Sequence, residues 1–193
     1  DASMRCLAAT GWLNFRMRAM CASFYCDLLQ QPWQIGADWF YYHLIDADPA
    51  INYTQFQTQA GIVGVNMLRV YNPRKQVQDN DPDGEFIQEW VPELAALPDE
   101  HLDQPERTPL HIQDDCGVSI GEDYPYPIVE YEAARRSIVD ELDAIKPVAE
   151  RALADSEVAR RASLSRRGRG GTTDEPTDRS TTQSSLSAFD TDS

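Results

Sequence analysis

Lysine is nearly absent from this chain: Lys75 and Lys146 are the only two in 193 residues, against fifteen arginines and 32 acidic side chains. The formal charge of −15 argues against affinity gained by broad phosphate neutralisation, the usual route of a nonspecific nucleic-acid binder. The four cysteines, Cys6, Cys21, Cys26 and Cys116, show no C-x-x-C spacing, and three lie in apolar, helix-patterned surroundings. That predicts buried free thiols in place of disulfides or a metal site. His43, His101 and His111 are scattered, with neither ligand spacing nor a nucleophile partner, so no metal is implied. No apolar run approaches the ~20 residues of a membrane span, and no leader pattern opens the sequence, so a cytoplasmic location without a membrane partner is expected. Gly61-x-x-Gly64 lacks the strand and helix context of a phosphate loop.

What is present is a 41% hydrophobic content, ordinary for one domain with a real core. Acids spread along the chain, with arginine in place of lysine, suit an acid-coated surface in a high-salt cytoplasm. A locally basic face remains compatible with that charge, because only nearby charges act within a short Debye length. Arg16, Arg69, Arg74 and Lys75 are the candidates. Residues 1 to 158 hold 11 basic and 27 acidic side chains, whereas 159 to 193 hold 6 and 5. After Glu157 the composition turns to Ser, Thr, Arg, Gly and Asp with little to bury, which predicts a domain over 1–157 and a disordered tail over 158–193. The RRASLSRRGRG run in that tail is either a tether to an acidic surface or nucleic acid, or plain solvated disorder.

The pattern of the body is helical. SMRCLAA reads as a helix closed by Thr10-Gly11, the glycine supplying a left-handed cap, and the chain opens as if inside a domain. Asn14 caps a helix to about Leu29 with Phe15, Met17, Met20, Cys21, Phe24 and Leu28 on its apolar side. Pro32 ends it, and Trp33 follows in a loop closed by Gly36. Ala37 to Ile45 reads as a helix buried on more than one face. Asp48-Pro49 starts another with Asn52, Phe56 and Gln59 at helical spacing, interrupted by Gly61 and Gly64. Asn66 to Tyr71 fits a helix or a strand, helix being favoured for want of a partner strand. Asp79 to Gly84 is a polar turn, Glu85 to Leu97 a helix broken at Pro92, and Pro98 to Pro127 a proline-rich loop. Ile128 to about Leu153 is a last helix with Ile138, Leu142 and Ile145 at core spacing, kinked or split by Pro147.

Within Gly11 to Gln59, Arg16 and Arg18 precede an apolar and aromatic run that ends in Asp46-Ala47-Asp48. Charged residues are seldom buried unless paired, so this composition predicts an Arg–Asp pair enclosed by apolar side chains. From spacing alone it is either a structural pair between two helices or part of a ligand site.

The run TGWLNFRMRAM, then LIDADPAIN, YNPRKQ, DPDGEFIQEWVPEL and DYPYPIVEYEAAR, resembles the C-terminal half of the flavin-binding domain of the photolyase and cryptochrome family. The five blocks stand in the family's order over roughly residues 3 to 136. The resemblance implies an all-α helical bundle, FAD as cofactor, and damaged DNA as partner. It also implies that the N-terminal antenna domain and the earlier flavin-binding segments lie outside this chain. By position, Arg18 matches the family arginine paired with the first Asp of the acid motif, here Asp46; Ala47 and Asp48 complete the flavin-contacting triplet; and Asn52 matches the residue facing the flavin N5. Trp33 matches the middle member of the tryptophan electron relay, while Phe56 stands at the flavin-proximal relay position. Arg16 and Gln76 match DNA-contacting positions. Phe15 replaces the asparagine that meets the lesion in dimer photolyases, and Phe15 with Ala19 replaces the histidines of the (6-4) enzymes; a lesion-clamping aromatic is absent around Gln57 to Gln59. The implied activity is blue-light-driven repair of pyrimidine dimers by electron transfer from reduced flavin. A cryptochrome-type photoreceptor without repair, favoured by Phe15 and Phe56, and a flavin-free helical interaction module are the alternatives.

Overall fold

The structure is a computed structural model that describes residues 1–63 and 70–154. Gly64, Arg69, most of the Asn66 to Tyr71 segment and the expected tail over 158–193 lie outside the described residues. Two units separate, residues 1–146 and 147–193, and the helices that carry the site belong to the first. In the second, the described residues 147–154 are the last turns of helix α8.

Helix α1 (Ala2–Thr10) ends where Gly11 turns left-handed at φ 72°, its N–H reaching back to the Leu7 carbonyl. Asn14 accepts the Met17 N–H and so starts α2 (Phe15–Ser23), which widens into a π-helical turn over Phe24–Leu28. Pro32 sits at the start of α3 (Trp33–His43). Asp48 accepts the Ile51 N–H, and Pro49, with no N–H to satisfy, opens α4 (Pro49–Gln59). Asn72 and Pro73 repeat the device for α5 (Pro73–Asn80). The short α6 (Glu85–Trp90) passes into a 3-10 turn over Pro92–Leu94, and α7 (Leu110–Cys116) precedes the long α8 (Tyr131–Ala154), which carries Pro147 inside it. Among the described residues there is no strand, only an isolated bridge between Ile120 and Tyr124, and the fold is all-α.

Several local expectations are corrected. Trp33 begins a helix in place of a loop, and Gly36 lies inside that helix because α3 must touch its neighbours there. A Cβ at Gly36 would come within 2.7 Å of Phe56 and 2.8 Å of Tyr25. The buried stripe of α2 is Ala19, Ala22 and Ser23, small residues that let α3 and α4 approach, while Phe15 is 66% exposed. Helix α3 buries a single face through Gly36, Ala37 and Phe40 and leaves Tyr41 and Tyr42 exposed. Helix α7 lies within the stretch expected to be loop. Pro147 does not split α8, whose Ile145 is exposed.

Two apolar clusters form the core. Leu7, Leu13, Ala22, Ala37, Phe40, Leu44 and Phe56 join α1 to α4, and Ile87, Val91, Leu94, Leu97, Leu102, Val118 and Ile120 join α6 to the following loop. Phe86 and Trp90 pack against both, so the two clusters share one wall. The four cysteines are free, and burial pushes the Cys21 thiol up to about 11 and, helped by Asp27, that of Cys26 to about 12.

The π-helical turn holds a buried acid. Asp27, 4% exposed, accepts the Ser23 hydroxyl at 2.6 Å, and that hydroxyl accepts the Tyr71 N–H at 3.1 Å. Burial pushes its carboxyl up to about 6, the Ser23 bond opposing part of the shift.

This packing has two testable outcomes. Gly36→Ala is expected to lower stability by about 1–3 kcal/mol, through overpacking against Phe56 and Tyr25, in a urea melt. Because the folded Asp27 binds its proton more tightly than the unfolded chain does, stability is greatest below about pH 4 for this group and is lost as pH rises through about 6. The loss is on the order of 2–3 kcal/mol, and Asp27→Asn should remove that component of the pH slope in unfolding measured from pH 4 to 7.

Candidate functional site

Arg18 is placed by α2 with its side chain 13% exposed, too enclosed to stand without partners. Its Nε donates to the Leu13 carbonyl at 2.7 Å, and one terminal nitrogen donates to both Asp46 carboxylate oxygens at 2.9 Å. Asp46, 49% exposed, therefore meets both solvent and a guanidinium held from behind. Two residues on, Asp48 gives one oxygen to the Ile51 N–H at 2.9 Å and so sets the direction in which α4 leaves. One turn into α4, the buried Asn52 donates through Nδ2 to the Ala37 carbonyl at 2.8 Å, pinning α4 to α3. Gln55, a further turn along, donates to the Phe15 carbonyl at 3.3 Å.

These side chains converge on one cleft of about 350 Å³, lined on its polar side by Asn14, Arg18, Asp46, Asp48, Asn52 and Gln55, and on its apolar side by Trp12, Leu13, Phe15, Leu44 and Ile51. Trp12, Phe15 and Ile51 are each at least half exposed, so the apolar wall is open. A cleft with a fixed cation, carboxylates and amides on one side and flat apolar surface on the other suits a planar heterocycle with polar edges.

Of the expected site residues, Arg18, Asp46, Asp48 and Asn52 meet at this cleft, whereas Ala47 is half-buried against the core beside it. Trp33 is elsewhere, half-buried with its indole edge-on to Tyr53 at 6.4 Å. Phe56 is fully buried against Phe40, ring centroids 5.1 Å apart. Arg16 and Gln76 line a second cleft, of about 470 Å³, where Asp1, Asp81 and Asp103 also lie. The Gln76 Oε1 is buried there without a hydrogen-bond partner. The proposed basic face is reduced by the structure. Arg74 is enclosed, bound to Glu106 at 3.1 Å and lying over the Tyr131 ring, so its charge is spent internally. Gln55 and Trp12 were not singled out from sequence; the spacing of Asp48, Asn52 and Gln55 along one face of α4 was the available signal for the first.

The family model described as the FAD binding domain of DNA photolyase matches residues 1–144. The chain belongs to the photolyase and cryptochrome family. Its cofactor is FAD. Similar proteins include a cryptochrome DASH of Gloeobacter violaceus, 41% identical over 131 residues that are 67% of this chain and 26% of the relative. A deoxyribodipyrimidine photo-lyase of Salmonella typhimurium is 37% identical over 148 residues, 76% of this chain and 30% of the relative. Among solved structures, a bacterial class III photolyase from Agrobacterium tumefaciens superposes with a TM-score of 0.70 at 35% identity, covering 76% of this chain and 31% of that one. The chain thus spans under a third of the length of these relatives. Among the described residues no helix is long and apolar enough to cross a membrane.

Replacing Asn52 by Ala removes the side-chain bond that ties α4 to the Ala37 carbonyl of α3. The expected cost is about 0.5–1.5 kcal/mol, measured as a lowered denaturation midpoint with the helical circular dichroism of the native state retained.

Proposed function

We propose that this chain supplies the C-terminal part of the flavin cradle of a blue-light-driven DNA photolyase, over residues 1–157, with 158–193 as an appended tail. The observation that carries the reading is the convergence of Arg18, Asp46, Asp48 and Asn52 on one cleft. That donor set fits the cofactor: Arg18 and Asp46 offer opposite charges already paired, so a bound anionic ring is balanced without leaving either unpaired when it departs. Asn52 anchors its amide nitrogen on Ala37, which leaves the amide oxygen as acceptor toward a ring N–H. The half-exposed Trp12, Phe15 and Ile51 present apolar area that a flat ring system covers. Reduced FAD, when bound, supplies the electron that opens a pyrimidine dimer and accepts it back; the protein contributes position, electrostatics and exclusion of water. Arg16 and Gln76, at the second cleft, are the proposed contacts to damaged DNA.

A second reading, a cryptochrome-type photoreceptor without repair, is favoured by Phe15 and Phe56. The first is an exposed phenyl ring on the apolar wall of the cleft, and the second is a buried ring that resists oxidation at the position that the resemblance gives to the flavin-proximal relay.

The test uses the full-length protein, purified in high salt, with Asp46→Asn alongside. A visible flavin band in the parent, reduced at least tenfold in the variant, is expected, and light-dependent repair of a defined cyclobutane dimer separates the two readings. A parent without flavin sinks both.

A further inference from the structure

The aromatic contacts that Phe56 does not make are made by a tyrosine. Tyr53, one residue beyond Asn52 on α4, lies edge-on to the Trp33 indole at 6.4 Å between centroids and 6.0 Å from the ring of Tyr41. Trp33 is half-buried and Tyr41 is 43% exposed, so the three rings lead from the core toward solvent. The Tyr53 hydroxyl donates to Asp38 Oδ1 at 2.5 Å, across the α3–α4 contact. Neighbouring rings at such spacing exchange electrons readily, and tryptophan and tyrosine are the side chains here most easily oxidised. A phenol has a second requirement. Once it loses an electron its proton is strongly acidic, so oxidation is easy only where a base already holds that hydrogen.

Asp38 meets this requirement. Its bond, with burial and the repulsion of the carboxylate added, holds the Tyr53 phenol above its ordinary value, so the proton stays on oxygen in the resting state and leaves only with the electron.

We propose that Tyr53 is a redox-active tyrosine with Asp38 as its proton acceptor, filling a vacancy left on Trp33 and extending the electron path to Tyr41. This rests on the flavin reading for the physiological oxidant, a photoexcited oxidised flavin. Trp33 gives that oxidant one electron and becomes an indole radical cation. Tyr53 then returns one electron to the indole while its hydroxyl proton crosses to Asp38. The balance is a one-electron-reduced oxidant, neutral Trp33, a neutral Tyr53 phenoxyl radical and a protonated Asp38. The fully buried Phe56, a bare phenyl ring, takes no part.

The experiment follows radicals in the full-length protein by transient absorption and electron paramagnetic resonance, with two oxidants. Blue light on the flavin is one; photogenerated ruthenium(III) tris-bipyridine in solution, which needs no flavin, is the other. The expected result is conversion of an indole signal into a phenoxyl signal, slowed in deuterated water. Tyr53→Phe should slow that conversion at least tenfold. Asp38→Asn, which keeps the phenol, should slow it comparably and remove the solvent isotope effect. Conversion at the parent rate in either folded variant overturns the proposal, and Asp38→Asn decides alone should Tyr53→Phe not fold. A purely structural Tyr53–Asp38 bond lowers the melting temperature and leaves the conversion rate untouched. Conversion with ruthenium but not with blue light upholds the tyrosine and counts against the flavin reading.

Discussion

The close approach of α3 to α4 at Gly36 is the constraint on which the rest of the site depends. With no Cβ at that position, Phe56 and Tyr25 lie directly on the α3 backbone, and the Ala37 carbonyl next to it comes within reach of Asn52. Once Asn52 is fixed, the first turn of α4 is fixed, and with it Asp48 and the turn that carries Asp46. The small buried residues of α2, Ala19 and Ala22, serve the same end from the other side, since larger ones would hold α2 and its Arg18 away. An apolar packing constraint thus sets the coordinates of the charged groups.

The charges in turn are arranged so that little is left uncompensated. Arg18 is enclosed, but it has a backbone carbonyl behind it and a carboxylate in front, and the carboxylate keeps half its surface in water. Such a pair is tolerated where a fully buried one would cost more than it returns. Arg74 follows the same logic with Glu106 and an aromatic face. Arg5 is paired likewise, with Asp1 at 3.2 Å and Glu93 at 2.8 Å. The other described cations, Arg16 and Lys75 among them, are exposed.

Helix starts were legible in the sequence because their chemistry is local. Asn14 and Asp48-Pro49 each act within three residues of themselves, and each of those helices begins where its cap predicts; Asn72-Pro73 caps α5 by the same chemistry. The Arg18–Asp46 pairing was legible through the family resemblance, since spacing alone left a purely structural pair open. Features governed by tertiary contact were not. Gly36 reads as a loop residue from propensity and becomes helical because Phe56 and Tyr25 need its bare backbone. Phe15 reads as core from its period and is exposed, its place inside taken by alanines. Helix α7 has no side-chain cap and a sequence dense in polar residues, so nothing local announced it.

Asp48 limits how the chain can vary. One of its oxygens initiates a helix while the residue also borders the cleft, so a single codon carries two unrelated duties. Mutational drift at that codon is narrowed to what satisfies both at once, and asparagine is the one common neighbour that keeps an acceptor for the backbone while surrendering the charge. A lineage that abandons the ligand can therefore change charge here and still fold. One that abandons the acceptor loses the start of α4 along with the ligand, which makes this position a point where loss of function is either silent in the fold or inseparable from it.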